Sequence, residues 1–297
     1  MFGLALSLPA LAFSLACAIA YSVSDSFRKD AAQRIEAIQV LFYAFLLETP
    51  VLALWMILSG DQRLETGYIV PGLIDVVIGF SVNLLFIVSI RRSPLSLMIP
   101  LLALVPVLTA LVSGALLGEW PSLAQSAGII FVTIGLFGLF VPVEGARHPL
   151  AVWRNLAREP GVLPMLGVVV LWSIQPSVDK ICLSHASVGA HGLAQLVALT
   201  AGAGAWLVAR GGPRALVLPP GAAKPLIGVA LTAGIGYGLQ LVAYQMTLVA
   251  LVELIKRTVG LVGALILGRA YFREPITPPK VFGMLVMGLG LPLVLLG

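Results

Sequence analysis

The chain has 297 residues, of which 59% are hydrophobic and only 10% are Asp, Glu, Lys or Arg, with a mean hydropathy of +1.04. Soluble domains carry about 25% charged residues, so a water-soluble enzyme or binding domain is excluded and a polytopic membrane protein is left. The formal charge of +5 is spread over short segments rather than gathered in one basic patch, so it is a topology signal and no nucleic-acid partner follows from it.

A hydrocarbon core of about 30 Å needs roughly 20 apolar residues per helix. In chain order the apolar stretches predict ten spans, at roughly 4–24, 37–58, 72–90, 94–117, 121–141, 161–180, 191–210, 225–247, 250–268 and 279–296. The first apolar stretch has no basic n-region and no small-residue cleavage pattern, so it reads as a retained span. Cys17 and Cys182 both fall inside predicted helices without CxxC or Cys/His spacing, which suggests structural thiols and no metal site. Fourteen of the 18 Lys and Arg lie in 28–34, 91–92, 147–158, 210–224 and 269–280. By the positive-inside rule those five segments are cytoplasmic and both termini face outward.

The sequence also matches itself without gaps at a separation of 155 residues. Pro9 meets Pro164, Ser22 meets Ser177, and Glu119 in Leu-Gly-Glu-Trp-Pro-Ser meets Glu274 in Phe-Arg-Glu-Pro-Ile-Thr. This predicts an all-α fold of two five-helix repeats, 1–141 and 161–297. Five crossings make the second copy enter the membrane from the opposite side, and inverted repeats place a binding site between them near the midplane. The joint, 142–160, contains Trp153, Arg154 and Arg158 and suits either a short interfacial helix or a solvated linker.

Charge in the apolar runs marks the candidate site. Glu253, Lys256 and Arg257 lie within predicted span nine, where each such residue costs roughly 2.5–3.5 kcal/mol at the bilayer centre. Glu253 precedes its partners by three and four positions, so one helix face can hold an internal ion pair with a cation left over for an anionic group. The alternative is a cluster near the membrane face whose long side chains snorkel to water. Subtracting 155 from these positions gives Met98, Leu101 and Leu102, so the first repeat is apolar where the second is charged. Tyr237, Gln240 and Tyr244 share a face of span eight at i, i+3 and i+7 and form either a wall for a polar solute or a self-satisfied core. Gly234 and Gly238 in the same span read as helix-packing positions.

Asn83, in the middle of span three, is a further polar contact, and Asp75 reads as a boundary residue of that span. Asp25 and Lys180 read as helix-end residues. Glu48 interrupts span two just before Thr49-Pro50. A lone carboxylate in hydrocarbon favours its neutral form through desolvation, so Glu48 is a candidate proton-coupling group, with a hydrogen-bonded structural Glu as the alternative. His148, His185 and His191 share no face. There is no HExxH, Walker or metal-ligand spacing, so no enzyme activity, cofactor or metal is expected.

The two turns around Glu119 and Glu274, each followed by a Gly-containing helix, together with Ser24-Asp25-Ser26-Phe27-Arg28-Lys29 and Trp172-Ser173-Ile174-Gln175-Pro176-Ser177-Val178-Asp179-Lys180, resemble the drug/metabolite transporter (DMT) superfamily in its ten-helix EamA branch. The Leu254-Ile255-Lys256-Arg257-Thr258 stretch is similar to the helix-nine Lys-Arg pair of sugar-phosphate and nucleotide-sugar translocators in that superfamily. Many members carry a proline in helix nine, where this chain has Leu261. The resemblance implies a multi-pass protein of a bacterial inner (cell) membrane, with both termini cytoplasmic, against the charge count. It implies a secondary transporter, exporting or exchanging a small polar metabolite that can be anionic, by alternating access and with proton or counter-substrate coupling. On that reading the substrate-binding residues are Lys256, Arg257, Glu253, Tyr237, Gln240, Tyr244 and Asn83. A flippase for an anionic lipid-linked headgroup and a non-transporting membrane scaffold are the alternatives, and no oligomeric state is read from the sequence.

Overall fold

The computed structural model describes residues 6–93, 98–140, 158–272 and 278–296. Ten α-helices run through them: α1 (Leu8–Arg34), α2 (Ala37–Ser59), α3 (Ile69–Arg92), α4 (Val105–Leu117), α5 (Leu123–Phe140), α6 (Val162–His185), α7 (Val188–Gly211), α8 (Ala223–Met246), α9 (Val249–Phe272) and α10 (Pro278–Leu296). A 3₁₀ segment at Ile99–Leu104 leads into α4, and another, Thr66–Tyr68, leads into α3. Among the described residues, strand pairing is limited to one isolated bridge, Leu64 with Ala186. The chain is thus an all-α polytopic membrane protein. Six helices are long and apolar enough to cross a bilayer by themselves, namely α1, α2, α3, α6, α7 and α8. The α4, α5 and α10 apolar stretches are shorter, and α9 carries the charged cluster.

Two boundaries differ from the sequence reading for a physical reason. Span one was expected to end at 24, yet α1 continues to Arg34, because nothing in Asp25–Arg34 breaks a helix and Arg34 pairs with Asp30 one turn earlier at 2.9 Å. The break comes at Ile35–Glu36, where Glu36 and Gln39 form a capping box that starts α2. Span six likewise runs on past Lys180 to His185. Asp25, Asp179 and Lys180 are therefore interior to long helices rather than at their ends. Residues 142–157 of the expected linker, and Glu274, lie outside the described residues.

Helices pack in pairs. The closest neighbours are α5 with α10, α1 with α8, α2 with α7, and α3 with α6; α1 also packs on α9, α4 on α6, and α4 on α9. Small residues permit the tightest of these approaches. A Cβ on Gly128 of α5 would stand 2.8 Å from the Gly290 carbonyl of α10, and one on Gly238 of α8 would stand 2.7 Å from the Trp55 ring of α2. Gly234 meets Val51 in the same interface, so both glycines of α8 serve packing.

Polar ties hold each end. At one end Arg63 donates to the carbonyls of Leu183, Ser184 and Ala186, which closes the C-terminus of α6, and Ser187 donates its amide to the Arg63 carbonyl at 2.8 Å. At the other, Ser89 Oγ of α3 donates to the Gly161 carbonyl at 2.7 Å and Ser93 Oγ donates to Glu159, fixing the start of α6. Gly118, at φ 70°, ends α4 and turns the chain so that Glu119 can reach across the bundle. Glu119 pairs with Lys180 of α6 and accepts from the Val249 amide at the start of α9, while Lys180 also donates to the Thr247 carbonyl at 2.9 Å.

Candidate functional site

Between the helix pairs lies a cavity of about 490 Å³. Its wall draws on α1, α2, α3, α6, α7, α8 and α9, and every residue singled out from the sequence as substrate-binding or proton-coupling is on it: Lys256, Arg257, Glu253, Tyr237, Gln240, Tyr244, Asn83 and Glu48.

Glu253 organises the α9 side. It is 1% exposed and accepts from Tyr244 Oη at 2.7 Å, from Lys256 Nζ at 2.6 Å and from Arg257 Nη2 at 3.2 Å. Lys256 also donates to Gln240 Oε1 of α8 and stands over the Tyr21 ring of α1, 5.1 Å from its centroid. Arg257 stacks over Trp172 of α6 at 4.7 Å. The side chains of Lys256 and Arg257 keep only 12% and 14% exposure, and Arg257 Nε is buried with no hydrogen-bond partner. These groups line the cavity and contact α1, α6 and α8. One carboxylate against two cations leaves a surplus of positive charge on this side of the cavity.

The other walls are acidic and aromatic. Asp25 and Arg28 of α1 face the cavity, 3.8 Å apart. Glu48 is 3% exposed and its Oε1 has no partner. It sits two residues before Pro50 of α2, as Pro176 sits in the cavity wall of α6. Each proline lacks an amide proton, so the carbonyls of Leu46 and Trp172, one turn earlier, lose their helical donor, and Trp172 is itself in the cavity wall. Asn83 Nδ2 donates to the Gly79 carbonyl of its own helix at 2.8 Å, leaving its amide oxygen for another donor.

The profile of the EamA-like transporter family matches residues 8–141, which span α1 to α5. Over those residues the chain is similar to the EamA-like transporter family. Among curated proteins none matches it significantly. A solved crystal structure is similar over 97% of this EamA-like chain and 96% of its own, with a TM-score of 0.72 and 17% identical residues. At that identity the likeness is one of fold, and it covers both halves of the chain.

The structure of this EamA-like chain corrects the sequence reading at α3, α6 and α7. Asp75, expected at a span boundary, lies within α3 and is 1% exposed. His191, for which the sequence offered no shared face, is fully buried and meets Asp179 Oδ1 at 3.0 Å and Tyr68 Oη at 3.0 Å. Gln195 joins them, donating to Tyr68 Oη and to the Gly72 carbonyl, both at 3.0 Å. Cys182, read as a structural thiol, is buried beside Asp75 and His191. These residues are spread from position 68 to position 195 of the chain, and no local spacing pattern joins the α3, α6 and α7 members.

Proposed function

We propose that this EamA-like protein is a secondary active transporter, an exporter or exchanger, that moves a small polar metabolite carrying an anionic group by alternating access through the cavity. Residues 1–141 and 161–297 act as inverted five-helix repeats joined by 142–160. The helix pairing supports this: exchanging each helix for the one five places along maps α1 on α8 onto α6 on α3 and α1 on α9 onto α6 on α4, and returns α2–α7, α4–α9 and α5–α10 to themselves.

The observation that carries the anionic preference is the Glu253, Lys256, Arg257 cluster in the cavity wall, with two cations against one carboxylate. The equivalent positions of the first repeat, Met98, Leu101 and Leu102, are buried and apolar, so the architecture alone does not require charge there. Asp25, Glu48 and Asp179 on the facing walls orient the solute with its anionic end toward α9 and its neutral end away. Tyr237, Gln240 and Tyr244 shape the pocket, Asn83 offers an amide oxygen, and Glu48 is a candidate proton-coupling group. A scaffold would call for a closed, packed centre, and a cavity of about 490 Å³ favours a carrier.

A thermal-stabilisation screen of the purified chain with carboxylates, phosphate monoesters and neutral analogues tests this reading. A ligand at 100 times its Kd adds about 2.7 kcal/mol to the native state. The expected hits are anions, and each is expected to lose its effect in Lys256→Ala and Arg257→Ala. Stabilisation by neutral analogues that equals that of the anions would remove the assignment.

A further inference from the structure

We infer that Asp75, Asp179 and His191 form a proton-binding site, separate from the Lys256/Arg257 anion site, and that its proton drives the transport cycle; the driving role rests on the transporter reading above. Asp75 of α3, Asp179 of α6 and His191 of α7 are each at most 1% exposed. His191 Nε2 lies 3.0 Å from Asp179 Oδ1 and 3.8 Å from Asp75 Oδ2. Both Asp75 oxygens are buried without a hydrogen-bond partner. Among the described residues neither Asp75 nor Asp179 pairs with a lysine or arginine. Two ionised carboxylates beside a neutral imidazole would hold uncompensated negative charge in a low-dielectric place, and an added proton relieves it without any other partner.

The hydrogen bonds define how the proton is held. Gln195 Nε2 donates to Tyr68 Oη, so the phenolic proton is free to donate to His191 Nδ1. The ring proton then sits on Nε2 and is donated to the Asp179 carboxylate. Asp75, the carboxylate left without a donor, receives the incoming proton and becomes a neutral acid able to donate; no other bond forms or breaks.

A metal would fit less well. Asp75, Cys182 and His191 place one donor atom each within 4.8 Å of one another. Yet both nitrogens of His191 are already engaged in hydrogen bonds at 3.0 Å.

The site adjoins the transport cavity without being part of the anion site. Asp179, Gln195 and Tyr237 line the cavity, and Tyr237 Oη lies 3.5 Å from His191 Nε2. The titratable groups facing the cluster are Cys182 of α6, Tyr68 before α3 and Tyr237 of α8, with Tyr21 of α1, Glu48 of α2, and Tyr244 and Glu253 beyond them around the cavity. Protonation removes charge at the meeting of α3, α6 and α7. α3 belongs to one repeat and α6 and α7 to the other, so the packing of α3 on that pair is the contact that must change when one repeat rocks against the other. The cluster is also one-sided: 155 positions away, Asp75, Asp179 and His191 correspond to Ala230, Ser24 and Glu36.

The test uses the full chain in lipid, with no transported ligand. Infrared difference spectra between about pH 5 and pH 8 are expected to contain a carboxylic-acid C=O band that is lost in Asp75→Asn or Asp179→Asn, displaced in pH in His191→Gln, and kept in Asp30→Asn, whose carboxylate lies outside the cavity beside Arg34. His191→Gln guards against misfolding, because its amide can still accept from Tyr68 and donate to Asp179 without titrating. In parallel, a cavity thiol from Ser22→Cys, in a chain with Cys17→Ala and Cys182→Ala, is labelled with an impermeant maleimide from each side of oriented vesicles. The side of labelling is expected to change with pH in wild type and Asp30→Asn, and to be independent of pH in Asp75→Asn and His191→Gln.

A band unaltered in all three cluster variants overturns the proposal, as does a pH-driven change of side that persists in Asp75→Asn and His191→Gln. So does stabilisation by zinc or sodium chloride at fixed pH that Asp75→Asn abolishes, without an infrared band. Labelling from one side at every pH in the wild type refutes the alternating-access reading instead, and the infrared band then decides alone whether the cluster binds a proton.

Discussion

Replacing Glu253 by Gln keeps the side chain's shape but removes the carboxylate that Lys256, Arg257 and Tyr244 share. In a medium of effective dielectric near 20, each charge pair at about 4 Å contributes roughly 4 kcal/mol, and a hydrogen bond to a charged group roughly 1.5–3 kcal/mol. Their sum overstates the loss, because the amide oxygen still accepts one bond and the cations regain some hydration from the cavity. Measured losses from removing one partner of a buried pair are about 3–5 kcal/mol, and the cavity-facing position argues for the lower part of that range. At about 2–4 °C per kcal/mol for a chain of this order of size, Glu253→Gln is expected to lower the melting temperature of the detergent-purified protein by roughly 6 °C or more. The double variant Glu253→Gln/Lys256→Met removes one stranded cation and is expected to recover at least half of that drop, a non-additivity that a double-mutant cycle reads directly. A single variant that melts within about 1 °C of wild type, or a double variant that falls further by the full sum, would refute the claim that Glu253 holds two buried cations in place.

Lys180→Met is expected to lower the melting temperature by a few degrees in a thermal scan, since it strips the partner from Glu119 and releases the Thr247 carbonyl. Gly128→Leu is expected to disrupt the α5–α10 approach at a cost of roughly 1–3 kcal/mol or more, visible as lower yield and melting temperature. Gly288→Ala on α10, where a Cβ would meet nothing within 4 Å, is expected to be neutral or slightly stabilising in the same scan. Tyr244→Phe removes one hydrogen bond from Glu253 and is expected to destabilise by about 1–3 kcal/mol, less than Glu253→Gln in the same assay.

The helices were legible because their signal is local: long apolar runs interrupted by turns. The α8 and α9 faces were legible for the same reason, since i, i+3, i+4 and i+7 spacing puts Tyr237, Gln240, Tyr244, Glu253, Lys256 and Arg257 in reach of one another within two adjacent helices. Asp25 was misjudged because the polar run after Ser24 resembles a loop, while the break that ends α1 is the capping box ten residues later. The buried Asp75, Asp179, His191 and Gln195 network was not legible at all. It is assembled from three helices and a 3₁₀ turn whose spacing in sequence carries no period, and only tertiary packing brings them together.

The most direct measurement of the central claim is flux in proteoliposomes, using as the radiolabelled solute the anion that stabilises the purified chain best. Reconstituted wild type is expected to carry it faster than empty vesicles, with uptake accelerated by unlabelled solute inside. Lys256→Ala and Arg257→Ala, reconstituted to the same density, are expected to lose most of that flux. Undiminished flux in both variants would contradict the account and leave the charged cluster of α9 a structural feature alone.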